Sequence, residues 1–127
     1  MTDNEIATQI VDAAYKIHTT LGPGLLESVY EAVMAEELNR RGLRVVRQQA
    51  IPVVYERVRL EIGFRADLIV EGCVIVEIKS VETLAPVHKK QLLTYLRLAE
   101  KRLGLLINLD AELIKDGIAR VVNGLRE

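Results

Sequence analysis

The chain has a single cysteine, Cys73, no apolar run close to the length of a membrane span, no internal repeat and almost no excess charge. One cysteine excludes an internal disulfide, which fits a reducing compartment. A bilayer crossing needs about 20 consecutive apolar residues, so no membrane association is expected. The opening Met1-Thr2-Asp3-Asn4-Glu5 is acidic and polar, unlike the start of a signal peptide, and the expected location is the cytoplasm. Seventeen Lys and Arg against eighteen Asp and Glu leave a net charge of −1. Attraction to a polyanion must then come from a local basic face rather than from overall charge. Linker-like and low-complexity stretches are absent too, and 127 residues fit one domain, 1–127. What remains is an ordinary globular balance, half apolar and 28% charged.

Apolar residues at Ile6, Ile10, Ala13, Ala14, Ile17 and Leu21 form one stripe at helical period, predicting a helix from about Asn4 to Leu21. Thr2, Asp3 and Asn4 offer capping oxygens before it, and Gly22-Pro23-Gly24 ends it. A second helix is expected from Leu25 to Arg41, with Leu26, Val29, Tyr30, Val33, Met34 and Leu38 on one face and Gly42 as its C-cap. Val45 to Tyr55 is rich in β-branched residues, as a strand is, and Pro52 puts that strand at an edge or marks an irregularity in it. Val58 to Phe64, Phe64 to Val70 and Cys73 to Lys79 are expected as a three-stranded antiparallel meander, with Glu71-Gly72 as its second turn. A third helix runs from Pro86 to about Arg102, closed by Gly104, with Leu92, Tyr95, Leu96, Ala99 and Leu103 inward. Leu105 to Leu109 has the uniform apolarity of a buried strand, and Ile118 to Val122 is a last one. The order α-α-β-β-β-β-α-β-β implies an α/β fold with a mixed sheet and helices packed on it.

Charge interrupts this pattern at Glu77-Ile78-Lys79, inside an apolar strand. Side chains two apart on a strand share a face, so Glu77 and Lys79 project together. A hairpin turning on Glu71-Gly72 places Asp67 beside Val76 and Glu77. Two carboxylates and an ammonium then meet within a sheet, where burial is costly unless the charges are paired or hold a metal. Close carboxylates repel, which raises one pKa unless a cation lies between them, and paired oxygen ligands suit Mg²⁺. The alternative is a structural acid–lysine pair on a half-exposed sheet face.

Glu27 flanks the apolar stripe of the second helix, near Tyr30 and Met34. Its plain role there is a first-turn carboxylate for free N–H groups. His88, Gln91 and Tyr95 stack along the third helix, as a polar edge or as phosphate contacts. His18 is expected to pack or cap, and Cys73 to be an inert small hydrophobe. Two basic groups stand out: Arg40, Arg41, Arg44 and Arg47 around the end of the second helix, and Lys89, Lys90, Arg97, Lys101 and Arg102 outside the third. Either is a solvated face or a phosphate stripe.

Gly24-Leu25-Leu26-Glu27-Ser28-Val29-Tyr30 matches the pattern of the GxxExxY protein family. Asp67 with Glu77-x-Lys79 resembles the core of the PD-(D/E)xK nuclease superfamily, and Gln91-Leu92-Leu93-Thr94-Tyr95 is similar to the QxxxY motif of its RecB-like branch. The likeness extends to Leu21-Gly22-Pro23-Gly24, His88 and Gly104-Leu105-Leu106-Ile107-Asn108, and departs from the pattern at Leu109, where an aromatic is expected. The resemblance implies a restriction-endonuclease-like fold, a central mixed sheet flanked by helices on an αβββαβ core. It implies Mg²⁺ or Mn²⁺ held by Asp67 and Glu77, with Glu27 as a further ligand or orienting group and Ile78 counted among the metal-holding positions. Lys79 becomes the catalytic lysine, with Gln91 and Tyr95 supporting it or touching a phosphate. The implied reaction is phosphodiester hydrolysis in nucleic acid, with DNA the expected substrate. A domain this small is expected to complete its grip as a homodimer or with a partner protein. The other reading is a non-catalytic nucleic-acid or protein interaction module that keeps the fold.

Overall fold

The computed structural model describes residues 1–125; Arg126 and Glu127, the end of the expected domain, lie outside the described residues. Helix α1 (Asp3–Leu21) begins at a reciprocal capping box, with Glu5 N–H donating to Thr2 Oγ1 at 3.1 Å and Thr2 N–H to Glu5 Oε1 at 3.2 Å. Helix α2 (Glu27–Arg40) is shorter than expected at both ends. Leu26 is its exposed N-cap rather than part of the apolar face. Its C-cap is Arg41, and Gly42 follows it at φ +83°, the left-handed step that lets Leu43 N–H reach back to the Leu38 carbonyl.

Strands β1 (Val45–Tyr55), β2 (Val58–Val70) and β3 (Val74–Lys79) precede helix α3 (Pro86–Ala99) and strand β4 (Leu103–Asn108). A 3-10 turn, Ile114–Gly117, leads into β5 (Ile118–Val122). The sheet order is β1-β2-β3-β4-β5, antiparallel throughout except for the parallel β3–β4 pair that α3 connects. No described helix is long and apolar enough to cross a membrane.

Two glycines sit where the pattern placed chain breaks, and neither makes one. Val58 to Val70 is one continuous strand, so the expected break at Phe64 is corrected. A Cβ at Gly63 would lie 1.9 Å from Val53 Cγ2, so the glycine admits Val53 across the ladder instead of turning the chain. The register slips between Ile51 and Val53, at the irregularity Pro52 led us to expect. Gly104 likewise does not close α3. That helix stops at Ala99 with Glu100 at φ +56° as its cap, and Leu103, expected on the helix, begins β4. A Cβ at Gly104 would meet Leu92 Cδ2 at 2.9 Å, so the bare backbone lets α3 seat on the sheet. Gly104→Ala is expected to cost about 1–3 kcal/mol by overpacking a buried leucine, read as a lower urea midpoint at unchanged slope.

One core lies under α1 and α2 and joins Ile10, Tyr30, Met34 and Leu38 to Leu68, Val76 and Ile107. The second lies under α3 and joins Leu92 and Leu96 to Ile51, Ala66, Ile75 and Leu106. Leu68 and Val70 face the first core, yet Ala66, an even number of residues away, faces the second. Strand β1 makes the same switch between Val45 and Ile51. The switch falls at Gln48, whose φ of +51° interrupts the alternation directly across from Asp67.

Candidate active site

The site grows from that interruption. The β2–β3 hairpin closes through Glu71, Gly72 and Cys73, with Val70 paired to Val74, so its loop is one residue longer than the two-residue turn expected. The register Leu68↔Val76 then brings Asp67 opposite Glu77. Asp67 N–H donates to Glu77 Oε2 at 2.9 Å, and Ile78 N–H donates to Asp67 Oδ2 at 2.9 Å. Each carboxylate is thus fixed by backbone of the strand beside it. Glu77 is only 5% exposed. Burial, and then the charge of Asp67, push its pKa up to about 8. Burial raises Asp67 too, against the hydrogen bonds from Ile78 and Gln48. Lys79 is half-buried at the end of β3, its charge favours ionised Glu77, and it forms no ion pair among the described residues.

Glu27 is brought to the same place. Its Oε1 accepts the N–H of Ser80, the residue after Lys79, at 3.2 Å, so it holds the end of β3 rather than its own helix. Ser80 Oγ in turn donates to the Leu25 carbonyl at 2.7 Å. Tyr30, wholly buried, donates its hydroxyl to the Gly22 carbonyl at 2.6 Å and accepts from Leu25 N–H at 3.2 Å. The glycine loop and the start of α2 are therefore pinned to the core by one tyrosine.

Two site residues escaped the sequence. Glu31, one turn after Glu27, is 6% exposed, and its Oε2 accepts from Arg47 Nη2 at 2.9 Å. Gln48 Nε2 donates both to Glu31 Oε1 and, at 3.1 Å, to Asp67 Oδ1, so one amide bridges two acids. Glu27, Ser28, Glu31, Gln48 and Asp67 line a cavity of about 190 Å³. The available signal was Glu31's position, an acid next to Tyr30 on the face that carries Met34 and Leu38. Nothing in the sequence marks the backbone of Gln48.

The α3 residues divide. Tyr95 stacks on Phe64 with centroids 3.8 Å apart and planes within 6°, and burial, then the charges of Glu77 and Asp67, raise its pKa. The Gln91 side chain is exposed and bonds to none of the described residues. His88 Nδ1 accepts Ala85 N–H at 3.0 Å and so caps α3, while His18 Nε2–H donates to the Ala111 carbonyl at 2.7 Å. Cys73 packs against the first core as a small hydrophobe. Leu109, where an aromatic was expected, is fully buried. Asn108 ends β4, paired with Lys79. Its side chain accepts Val81 N–H at 3.1 Å and donates to the Val81 carbonyl at 2.8 Å, anchoring the loop after Lys79.

Among the described residues no three His, Cys, Asp or Glu side chains converge on a point that would hold a metal ion. Two carboxylates do meet, and their donor set is all oxygen. Burial, and then the charge of Asp67, disfavour the ionised form of Glu77, and a cation between the two carboxylates would offset both. That fits Mg²⁺ or Mn²⁺, which take one or two carboxylates and fill the remaining positions with water and phosphate oxygens. Ile78 buries its side chain in the core, so only its backbone is available to such a centre.

Of the basic groups, Arg40 pairs with Glu36, Arg41 with Glu37 and Asp12, Arg44 with Glu71 and Arg47 with Glu31. Lys89, Lys90, Arg97, Lys101 and Arg102 form no ion pair among the described residues. Neither a curated protein nor a solved structure matches the chain. The family profile of the PD-(D/E)XK nuclease superfamily matches residues 4–121, which takes in both carboxylates, the lysine and every strand but the last residue of β5. The chain belongs to the PD-(D/E)XK nuclease superfamily.

Proposed function

We propose that the protein is a metal-dependent nuclease that hydrolyses phosphodiester bonds in nucleic acid, with DNA as its substrate. The observation that carries this is the pair of half-buried Asp67 and buried Glu77, locked by each other's strands and followed on β3 by a lysine with no ion-pair partner among the described residues. A bound Mg²⁺ or Mn²⁺ would supply Lewis acidity and a water of lowered pKa. Asp67 and Glu77 would hold that ion, with the Ile78 carbonyl beside them. Glu27 orients the end of β3 through Ser80 and faces the same cavity as Asp67. Lys79 shares its strand face with Glu77; there its ammonium neutralises charge building on the phosphate, and its amine form removes a proton from the attacking water. Tyr95 and Gln91 support the lysine or contact the phosphate, in the manner of the QxxxY branch, and the Gly24–Tyr30 segment supports membership of the GxxExxY group. Lys89, Lys90 and Arg97 on the same helix, without ion-pair partners among the described residues, supply the local basic face that a net charge of −1 requires.

The test is incubation with single-stranded DNA, double-stranded DNA and RNA, each with Mg²⁺, Mn²⁺ or EDTA. Cleavage of DNA that needs the metal is the expected outcome; folded, metal-bound protein that cuts none of the three overturns the reading. That second result would favour a non-catalytic interaction module, for which one observation speaks: all four arginines around the end of α2 are already neutralised by acids of this chain.

A further inference from the structure

β3 pairs with β2 only at Leu68, Ile69 and Val70. Toward the hairpin tip, β2 therefore has β1 on one side and no strand on the other. This two-stranded arm carries Tyr55, Val58, Leu60 and Ile62, each more than half exposed. Pairing puts Tyr55 beside Val58 and Val53 beside Leu60 on one face, and exposed Ile62 follows where the register with β1 shifts. A lone hairpin is marginally stable in water, and a free edge next to an apolar face is a template for another strand.

The segment Val58-Arg59-Leu60-Glu61-Ile62 is complementary to itself when run antiparallel. Centred on Leu60, a second copy sets Leu60 against Leu60, Arg59 against Glu61 and Val58 against Ile62. Apolar side chains then meet on one face and opposite charges on the other, twice over by symmetry. Val58 pairs with Tyr55 across the two-residue turn and Leu60 with Val53, so the N–H and C=O groups of Arg59, between them, turn outward, toward the copy. Within one chain Arg59 Nε already lies 2.7 Å from Glu61 Oε1, so both side chains are held on that face. We propose that the β2 edge, residues 58–62, is a homodimer interface formed by antiparallel pairing of two copies about Leu60. The contact is isologous, joins the two sheets into one, and stands independently of the nuclease reading.

The experiment is sedimentation equilibrium on the full chain and on two single variants, with circular dichroism as the fold control. Wild type is expected to dimerise in the micromolar range. Glu61→Arg sets arginine against arginine, and Arg59→Glu sets glutamate against glutamate; each is expected to weaken the dimer at least about tenfold. Mixed together, the two variants regain complementarity at both contacts and form a one-to-one heterodimer, which neither unfolding nor a different interface would produce. Wild-type protein that stays monomeric at hundreds of micromolar overturns the proposal, as does undiminished dimerisation of both single variants. Monomeric variants that fail to pair on mixing overturn the register about Leu60.

Discussion

Lys79→Ala is expected to lower metal-dependent cleavage by about 10²–10³-fold while leaving the circular dichroism spectrum and metal affinity close to wild type. The size follows from the placement. Lys79 is the last residue of β3, where its backbone is held by the parallel register to Asn108 and by Leu109 N–H donating to its carbonyl at 3.1 Å. Truncating the side chain removes a charge but no backbone contact. Because Lys79 has no ion-pair partner among the described residues, no buried acid is orphaned by the change. One compensating loss is foreseen: Glu77 loses a neighbour that favours its ionised form, which shifts metal binding to slightly higher pH. Lys79→Arg is expected to recover little, since a guanidinium keeps the charge but cannot take the proton at ordinary pH. A rate unchanged in Lys79→Ala under saturating Mg²⁺ would remove the lysine from the chemistry and, with it, the main support for the proposed reaction.

The helices and the buried strands were legible because their signals are local. The capping box at Thr2 and the stripe Ile6, Ile10, Ala13 needed nothing beyond their own neighbours. The errors fell on glycines and on strand joints, where distant contacts decide. Gly63 and Gly104 resemble chain breaks in sequence, yet each is small because a side chain from another element, Val53 or Leu92, occupies its Cβ position. The third residue of the β2–β3 loop was invisible for a related reason: Cys73 joins the loop because Val70 pairs with Val74, which is a property of the pair and not of either strand.

The candidate site was legible in its acids along one hairpin and opaque across elements. Asp67, Glu77 and Lys79 follow from strand periodicity and a single turn. Glu27 was located, but its partner Ser80 lies far away in sequence and was not foreseeable. Glu31 and Gln48 were missed for different reasons. Glu31 looks like a helix-surface acid until Arg47 and Gln48 close over it. Gln48 depends on a left-handed backbone that a glutamine does not advertise, at the place where both strands change the core they face. The pattern of two fails at the very residue that bridges the acids, so the break in periodicity and the site coincide.

Glu77→Gln is expected to abolish cleavage and yet to make the metal-free protein more stable than wild type at pH 8. Glu77 has its pKa raised in the folded chain, from 4.5 to about 8, by burial and then by Asp67. A raised carboxylate pKa means that the folded state holds a proton the unfolded state has released. Stability from this group is therefore fully present below about pH 4.5 and is lost as pH climbs through the folded value near 8. Asp67, also raised by burial, adds to the same trend. In EDTA the wild-type melting temperature should fall between pH 5 and pH 8, on the order of several degrees at about 4 °C per kcal/mol for a domain of this size. Glutamine keeps an oxygen to accept Asp67 N–H and never ionises, so the variant's melting temperature should fall much less over that range, by what Asp67 alone contributes. Adding Mg²⁺ at pH 8 should lift wild type, because the cation binds only the folded, ionised pair, and should leave Glu77→Gln almost unmoved. Melting curves across pH, with and without the metal, read all of this without any substrate. A wild-type curve as flat as the variant's would mean that Glu77 is ionised in the folded protein without a cation, and that the two acids are not the repelling pair from which the metal site was argued.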